Sequence, residues 1–182
     1  MPRWLNLANL LTLLRLLLVP FIVEAIVTGR HPTALGLLVV AGFTDLLDGI
    51  AARRLGLATA GGAYLDPIAD KCLLSGIFLA LAASRIVPWW FVAIVFGRDL
   101  YILLAAGAIM AWTTIREFPP SVWGKASTFV QISTAVTWMV RNMLTSPVID
   151  TVAGAMLWVS AVVTIWSGVH YTWRGIQLVR AH

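Results

Sequence analysis

Charge is what this chain has least of. Of its 182 residues only 12% are Asp, Glu, Lys or Arg and 60% are hydrophobic, whereas a soluble domain carries about 25% charged residues. With a mean hydropathy of +0.89, that imbalance argues against a soluble domain and for an integral membrane protein. Cysteine is almost missing as well: Cys72 stands alone, so no intrachain disulfide can form. Period-two alternation, the mark of a half-buried strand, is absent, and the apolar runs are too long for strands. There is no internal repeat, no low-complexity tract and no shift in composition that would mark a second domain, so residues 1–182 read as a single membrane domain. The first apolar stretch exceeds the length of a signal-peptide core and no A-x-A-like site follows it, so it reads as a retained helix. His31, His170 and His182 lie near segment ends without metal-ligand spacing.

What the chain does have is a series of apolar segments of roughly 20 residues, each enough to span about 30 Å of hydrocarbon. They run from about Leu7 to Val27, from Pro32 or Thr33 to Arg53, from Gly62 to Ala83, from Pro88 to Trp112, from Val122 to Leu144 and from Val148 to Tyr171. The joints "TGRHPT", "RLGLATAGG", "REFPPS" and "TSP" carry the glycines and prolines that stop helices. The expected fold is all-α: six transmembrane helices after a short interfacial segment, "MPRWLN". Trp4, Trp89, Trp90, Trp112 and Trp123 fall near the expected interfaces as an aromatic belt. One side of the membrane receives Arg3, Arg53, Arg54, Arg116, Arg174 and Arg180, with Lys125 close by, and the other only Arg30, Arg85 and Arg141. The positive-inside bias therefore puts both termini and the loops at 54–62 and 113–121 in the cytoplasm.

Against this background the stretch "DLLDGIAARRLGLATAGGAYLDPIAD" is an anomaly, because Asp45, Asp48, Asp66 and Asp70 fall within segments that should meet lipid. Asp45, Asp48, Gly49 and Ala52 form one stripe of the second helix, and Gly62, Asp66 and Asp70 one stripe of the third. A short loop joins the two, so they are expected to be antiparallel neighbours with the stripes facing each other. One charge at the bilayer centre costs about 2.5–3.5 kcal/mol on insertion scales, and clustered carboxylates repel. A pair of divalent cations removes both problems, and hard oxygen donors suit Mg²⁺, Mn²⁺ or Ca²⁺ rather than zinc. Gly49 and Gly62 leave room for a ligand to approach the backbone, and Arg53 offers a planar fork for phosphate. Pro67 either helps aim the carboxylates or marks a helix start.

The pattern D-x2-D-G-x2-A-R-x8-G-x3-D-x3-D is met without a gap by Asp45, Asp48, Gly49, Ala52, Arg53, Gly62, Asp66 and Asp70. In this the chain resembles the CDP-alcohol phosphatidyltransferases, and "NLLTLLRLLLVP" resembles the start of members that make phosphatidylglycerophosphate or cardiolipin. The resemblance implies six transmembrane helices and transfer of a phosphatidyl group from CDP-diacylglycerol to a glycerol-type hydroxyl, with release of CMP. It implies two Mg²⁺ or Mn²⁺ ions held by Asp45, Asp48 and Asp66 with Asp70 beside them, and Asp70 as general base. Gly49, Ala52, Arg53 and Gly62 would line the CDP-diacylglycerol site, with Thr59 near the nucleotide and Asn9 and Thr12 approaching the same ligand. It also implies a homodimer, for which the small residues Gly76, Ala80 and Ala83 offer packing room. No nucleic-acid partner is expected.

Two cations admit two readings each. Arg98 in "FGRDLY" either meets the phosphate of the acceptor or ties helices together, and it need not pair with Asp99, since adjacent helix positions point about 100° apart. Lys125 is either a second acceptor-phosphate contact or a positive-inside anchor. "GAYLDPIADK" and "WGKASTFVQ" resemble phosphatidylglycerophosphate synthases, whose acceptor is glycerol 3-phosphate; "GRDLYILLAAG" and "HYTWRGIQLV" resemble CMP-forming cardiolipin synthases, whose acceptor is phosphatidylglycerol. Those synthases often have Arg-Glu where this chain has Arg98-Asp99. Outside this class, the competing reading of the aspartates is a divalent-cation transporter, against which Gly49, Arg53 and Gly62 argue: a cation path has no use for an arginine beside its ions, whereas a diphosphate has. Arg15 and Glu24 in the first helix pair with neighbours or snorkel, with no functional role assigned to either.

Overall fold

A computed structural model describes residues 7–55, 60–112 and 121–180, with the side chains of 7–9, 48–55, 60–67, 106, 110, 112 and 178–180 outside the description. Six helices follow one another: α1 (Leu7–Val27), α2 (His31–Leu55), α3 (Ala60–Ala83), α4 (Trp89–Trp112), α5 (Val122–Arg141) and α6 (Pro147–Arg180). No strand occurs among the described residues. The helix ends follow local chemistry. α1 closes on Gly29 at φ 73°, where the Arg30 N–H donates to the Ala25 carbonyl and the Gly29 N–H to that of Ile26, a Schellman stop that favours glycine. α3 closes in the same way on Arg85, at φ 57°. Ser121 caps α5 by accepting from the Gly124 N–H at 3.0 Å, and Pro147 opens α6 at a position where its missing N–H costs nothing.

Three helices hold stretches long and apolar enough to cross a membrane, Leu10–Val27, Trp89–Ile109 and Pro147–Gln177, while α2 adds a shorter apolar stretch, His31–Leu47. The six expected helices are therefore present in order, and among the described residues length and apolarity mark three of them as spans. α5 carries Lys125, Gln131 and a run of hydroxyls, and the apolar stretch of α2 ends at Leu47, where the described side chains of that helix end. α6 extends nine residues past the expected end at Tyr171, because no proline interrupts "TWRGIQLVR". Its 34 residues reach about 51 Å at 1.5 Å per residue, well beyond the hydrocarbon thickness. Pro67 lies inside α3, not at its start.

The chain divides into two compact units, residues 1–86 and 87–182. In the first, α2 and α3 each pack on α1. The expected α2–α3 pairing falls on residues 48–55 and 60–67, whose side chains lie outside the described residues. The buried positions of α1, Thr12, Arg15, Ile22 and Ile26, fall on one helical stripe. Gly76 of α3 meets that helix so closely that an added Cβ would stand 3.0 Å from a Val19 methyl and 3.2 Å from one of Val23. Ala80 is buried too, so only Ala83 of the small-residue series expected to serve a dimer is exposed. In the second unit α6 packs on both α4 and α5.

Both units distribute polarity in the reverse of a soluble protein. Thr12, Arg15 and Thr44 are buried in the first, and Ser127, Gln131, Thr134, Ser160, Thr164 and Ser167 in the second. The outward faces carry Leu10, Leu13, Leu14, Leu17 and Phe21 on α1, and Trp158, Val162, Ile165, Trp166, Val169 and Trp173 on α6. Continuous apolar faces of this extent need a non-aqueous surrounding, and the hydroxyls of Ser127, Thr134, Thr164 and Ser167 make hydrogen bonds between helices. Gln131 donates to Ser127 and Thr164, and Thr134 donates to the Met156 carbonyl across to α6.

Candidate functional site

The signature residues sit on α2 and α3, and the side chain that gathers the described ones comes from α1. Asp45 lies on the same stripe of α2 as Asp48, Gly49 and Ala52, and Asp70 lies one turn beyond Asp66 on α3. Between Asp45 and Asp70 stands the guanidinium of Arg15. One of its terminal nitrogens donates to Asp45 Oδ1 at 2.7 Å and the other to Asp70 Oδ1 at 2.8 Å. These are charge-assisted distances, and the two prongs of a planar fork make them possible at once.

Burial is sharply asymmetric. The Arg15 side chain is 1% exposed, whereas those of Asp45 and Asp70 are 55% and 50% exposed. Each carboxylate therefore meets a fully enclosed cation while about half of its side chain stays exposed. Thr12, one turn before Arg15 on the same face of α1, is buried beside it, and Thr44 closes its hydroxyl on the Ala41 carbonyl at 2.7 Å.

Of the residues singled out from the sequence, the structure brings Asp45 and Asp70 together and puts Thr12 on the helix face that carries their partner. Asp48, Gly49, Ala52 and Arg53 are on α2, Gly62 and Asp66 on α3 and Asn9 in the first turn of α1, all with side chains outside the described residues; Thr59 lies outside them altogether. Among the described residues no group of three acidic, histidine or cysteine side chains converges on one point. The donor set that is described suits a hard divalent ion in kind: two carboxylates from different helices, each about half exposed, already share a single cation. Arg15, given no role from the sequence, is the residue that reading missed. Its signal was its register: position 15 falls on the helix face that carries Thr12, Ile22 and Ile26, which α1 buries.

Arg98 belongs to the second unit. It does pair with its neighbour, donating to Asp99 Oδ1 at 2.8 Å, because a long arginine stem spans the angle between adjacent helix positions. Its other terminal nitrogen donates to Ser167 Oγ at 2.6 Å, and its guanidinium lies 5.6 Å from the centroid of the Tyr171 ring. The Tyr171 hydroxyl accepts in turn from the Ser121 N–H at 3.1 Å. An added Cβ at Gly124 would meet that same hydroxyl at 3.1 Å, so the glycine is what admits the ring. Lys125 is exposed on the first turn of α5.

Comparison with known proteins agrees with the pattern. The family model for CDP-alcohol phosphatidyltransferase matches residues 5–166. A probable phosphatidylglycerophosphate synthase of Mycobacterium tuberculosis is 34% identical over 179 residues, covering 94% of this chain and 82% of the relative. A CDP-diacylglycerol–glycerol-3-phosphate 3-phosphatidyltransferase of Bacillus subtilis is 29% identical over 187 residues, covering 91% and 93%. A probable CMP-forming cardiolipin synthase of Drosophila melanogaster is 34% identical over 143 residues, covering 69% and 44%.

Proposed function

Because the chain belongs to the CDP-alcohol phosphatidyltransferase family, we propose that it moves a phosphatidyl group from CDP-diacylglycerol to the primary hydroxyl of glycerol 3-phosphate, releasing CMP. The observation that carries this reading is the gathering of Asp45 and Asp70 from two helices, within an ungapped signature, onto one cation. Glycerol 3-phosphate is chosen because the relatives aligned over most of both chains are named for the glycerol-phosphate reaction. Phosphatidylglycerol is the second reading, favoured by the cardiolipin synthases that match over a shorter stretch.

In the reaction the acceptor oxygen forms a bond to the phosphorus that carries the diacylglycerol, and the bond from that phosphorus to the CMP oxygen breaks. Asp70 receives the acceptor proton on a carboxylate oxygen. Arg53 holds the diphosphate through its fork, and Gly49 and Gly62 let the nucleotide approach the helix backbone. Asp45, Asp48, Asp66 and Asp70 would hold two Mg²⁺ or Mn²⁺ ions, which when bound neutralise the diphosphate and orient in-line displacement. Arg98 and Lys125 are the candidates for the acceptor phosphate, and Asn9, Thr12, Ala52 and Thr59 for the donor. The acyl tails stay in the bilayer while the head reaches the carboxylates, which is why the site is built on membrane helices. All six helices cross the membrane in this reading, with the site and both termini on the cytoplasmic side, and the protein works as a homodimer.

A panel of acceptors with one donor tests the assignment. Purified protein given CDP-diacylglycerol should release CMP with glycerol 3-phosphate and far more slowly with phosphatidylglycerol; the opposite order transfers the assignment to cardiolipin synthesis, and no CMP with any acceptor removes the transferase reading. Topology has its own test. With Cys72 replaced by serine, a cysteine placed at Ala58 should react with a membrane-impermeant label only after the cytoplasmic face is opened, because the adjoining Arg53 and Arg54 carry the positive bias. Labelling in intact cells would reverse the orientation.

A further inference from the structure

We infer that Arg15 is a positioning residue of the aspartate cluster, an internal cation that holds Asp45 and Asp70 together when no divalent ion is present and competes with the ion for them. The inference rests on the reading of those aspartates as ion ligands, and it concerns a residue outside the signature.

Three observations carry it. The guanidinium touches one carboxylate from each of two helices, at 2.7 and 2.8 Å, through separate nitrogens. Arg15 is 0% exposed, so its charge has no water to retreat to and is held beside these oxygens. The carboxylates are half open on their other sides, so a second, solvent-borne cation can reach the same groups that the first one holds from within. A buried arginine needed only for packing would not sit at the junction of the two ligand-bearing helices. A carboxylate pair with no cation between would repel, and α2 and α3, which each pack on α1, would lose one tie that runs through it. An arriving divalent ion meets carboxylates already partly neutralised and must share them with a fixed positive charge. Arg15 thus keeps the site assembled while empty and weakens ion binding in return.

The measurement is Mn²⁺ binding to the purified full chain, read from the electron paramagnetic resonance signal of free Mn²⁺, together with thermal unfolding in EDTA and in saturating Mn²⁺. Arg15→Met should bind Mn²⁺ at least about ten-fold more tightly than wild type, as expected for removing a like charge some ångströms from the ion. It should melt lower than wild type in EDTA and recover most of that loss in Mn²⁺. Arg15→Lys keeps the charge but cannot fork to both carboxylates; it should bind Mn²⁺ about three-fold more tightly, and it decides the matter if the methionine variant does not accumulate. A structural role alone would lower both melting temperatures equally and leave affinity unchanged, which overturns the inference, as does weaker binding in either variant. If wild type itself binds no Mn²⁺, the reading of the aspartates as ion ligands falls and the inference with it; if wild type binds and the variants match it, only the inference falls.

Discussion

Asp70→Asn should lower turnover on the order of the 10²–10⁴-fold typical of losing a general base, while CDP-diacylglycerol still binds. The substitution keeps the shape of the side chain and one acceptor oxygen. That oxygen can still take the hydrogen bond from Arg15 that Asp70 Oδ1 takes at 2.8 Å, so the tie between α1 and α3 survives. What is lost is the capacity to accept a proton from the acceptor hydroxyl. Donor binding persists in the proposed reading because Asp45, Asp48, Asp66, Gly49 and Arg53 are untouched. The two measurements are CMP release and donor binding on one purified variant. Normal turnover, or a loss of donor binding as complete as that of Asp66→Asn, would reduce Asp70 to another ion ligand.

The second large effect is the ion requirement. Activity should vanish in EDTA, return with Mg²⁺ or Mn²⁺, and fall by at least about 10²-fold in Asp45→Ala, since ions that neutralise phosphoryl charge contribute several kcal/mol and each 1.36 kcal/mol is a factor of ten in rate. Asp45→Ala also leaves the buried Arg15 with one of its two described carboxylates, and breaking a buried pair from one side destabilises the fold. Asp45→Asn separates the two effects: it retains an oxygen for Arg15 and should melt close to wild type while losing most activity. Full turnover of either variant in EDTA would end the two-ion reading.

Much of this architecture was legible from hydrophobic run length and from the glycine and proline at the joints, which mark helix starts and stops to within a few residues. Spans were harder to read. The run of α5, with Lys125, Gln131 and its hydroxyls, resembles a transmembrane helix in length alone. The pairing of α2 with α3 followed from loop length and falls on residues whose side chains lie outside the described ones, whereas packing of α3 on α1 depends on side-chain size: Gly76 admits Val19 and Val23 of α1 onto α3. The signature residues announced themselves because ionisable groups are costly among apolar ones. Arg15 carried the same cost with no motif around it, and only its place on the buried stripe of α1 distinguished it from a snorkelling arginine. The contacts of Arg98 with Ser167 and Tyr171, 69 and 73 positions away, join helices far apart in the chain, and no local pattern encodes them.

The partnership between Arg15 and Asp70 also sets an order of events during synthesis. The two residues are 55 positions apart, and at about 5–20 residues per second a ribosome needs about 3–11 s to travel from one to the other. Helix α1 reaches the bilayer first, with a guanidinium whose partner on α3 has not yet emerged. An isolated arginine at a helix centre costs about 2.5–3.5 kcal/mol on insertion scales, a burden that the leucines around it in "NLLTLLRLLL" offset at a few tenths of a kcal/mol each. The leucine-rich first helix therefore acts as the carrier of a charge whose second carboxylate partner arrives only when α3 emerges.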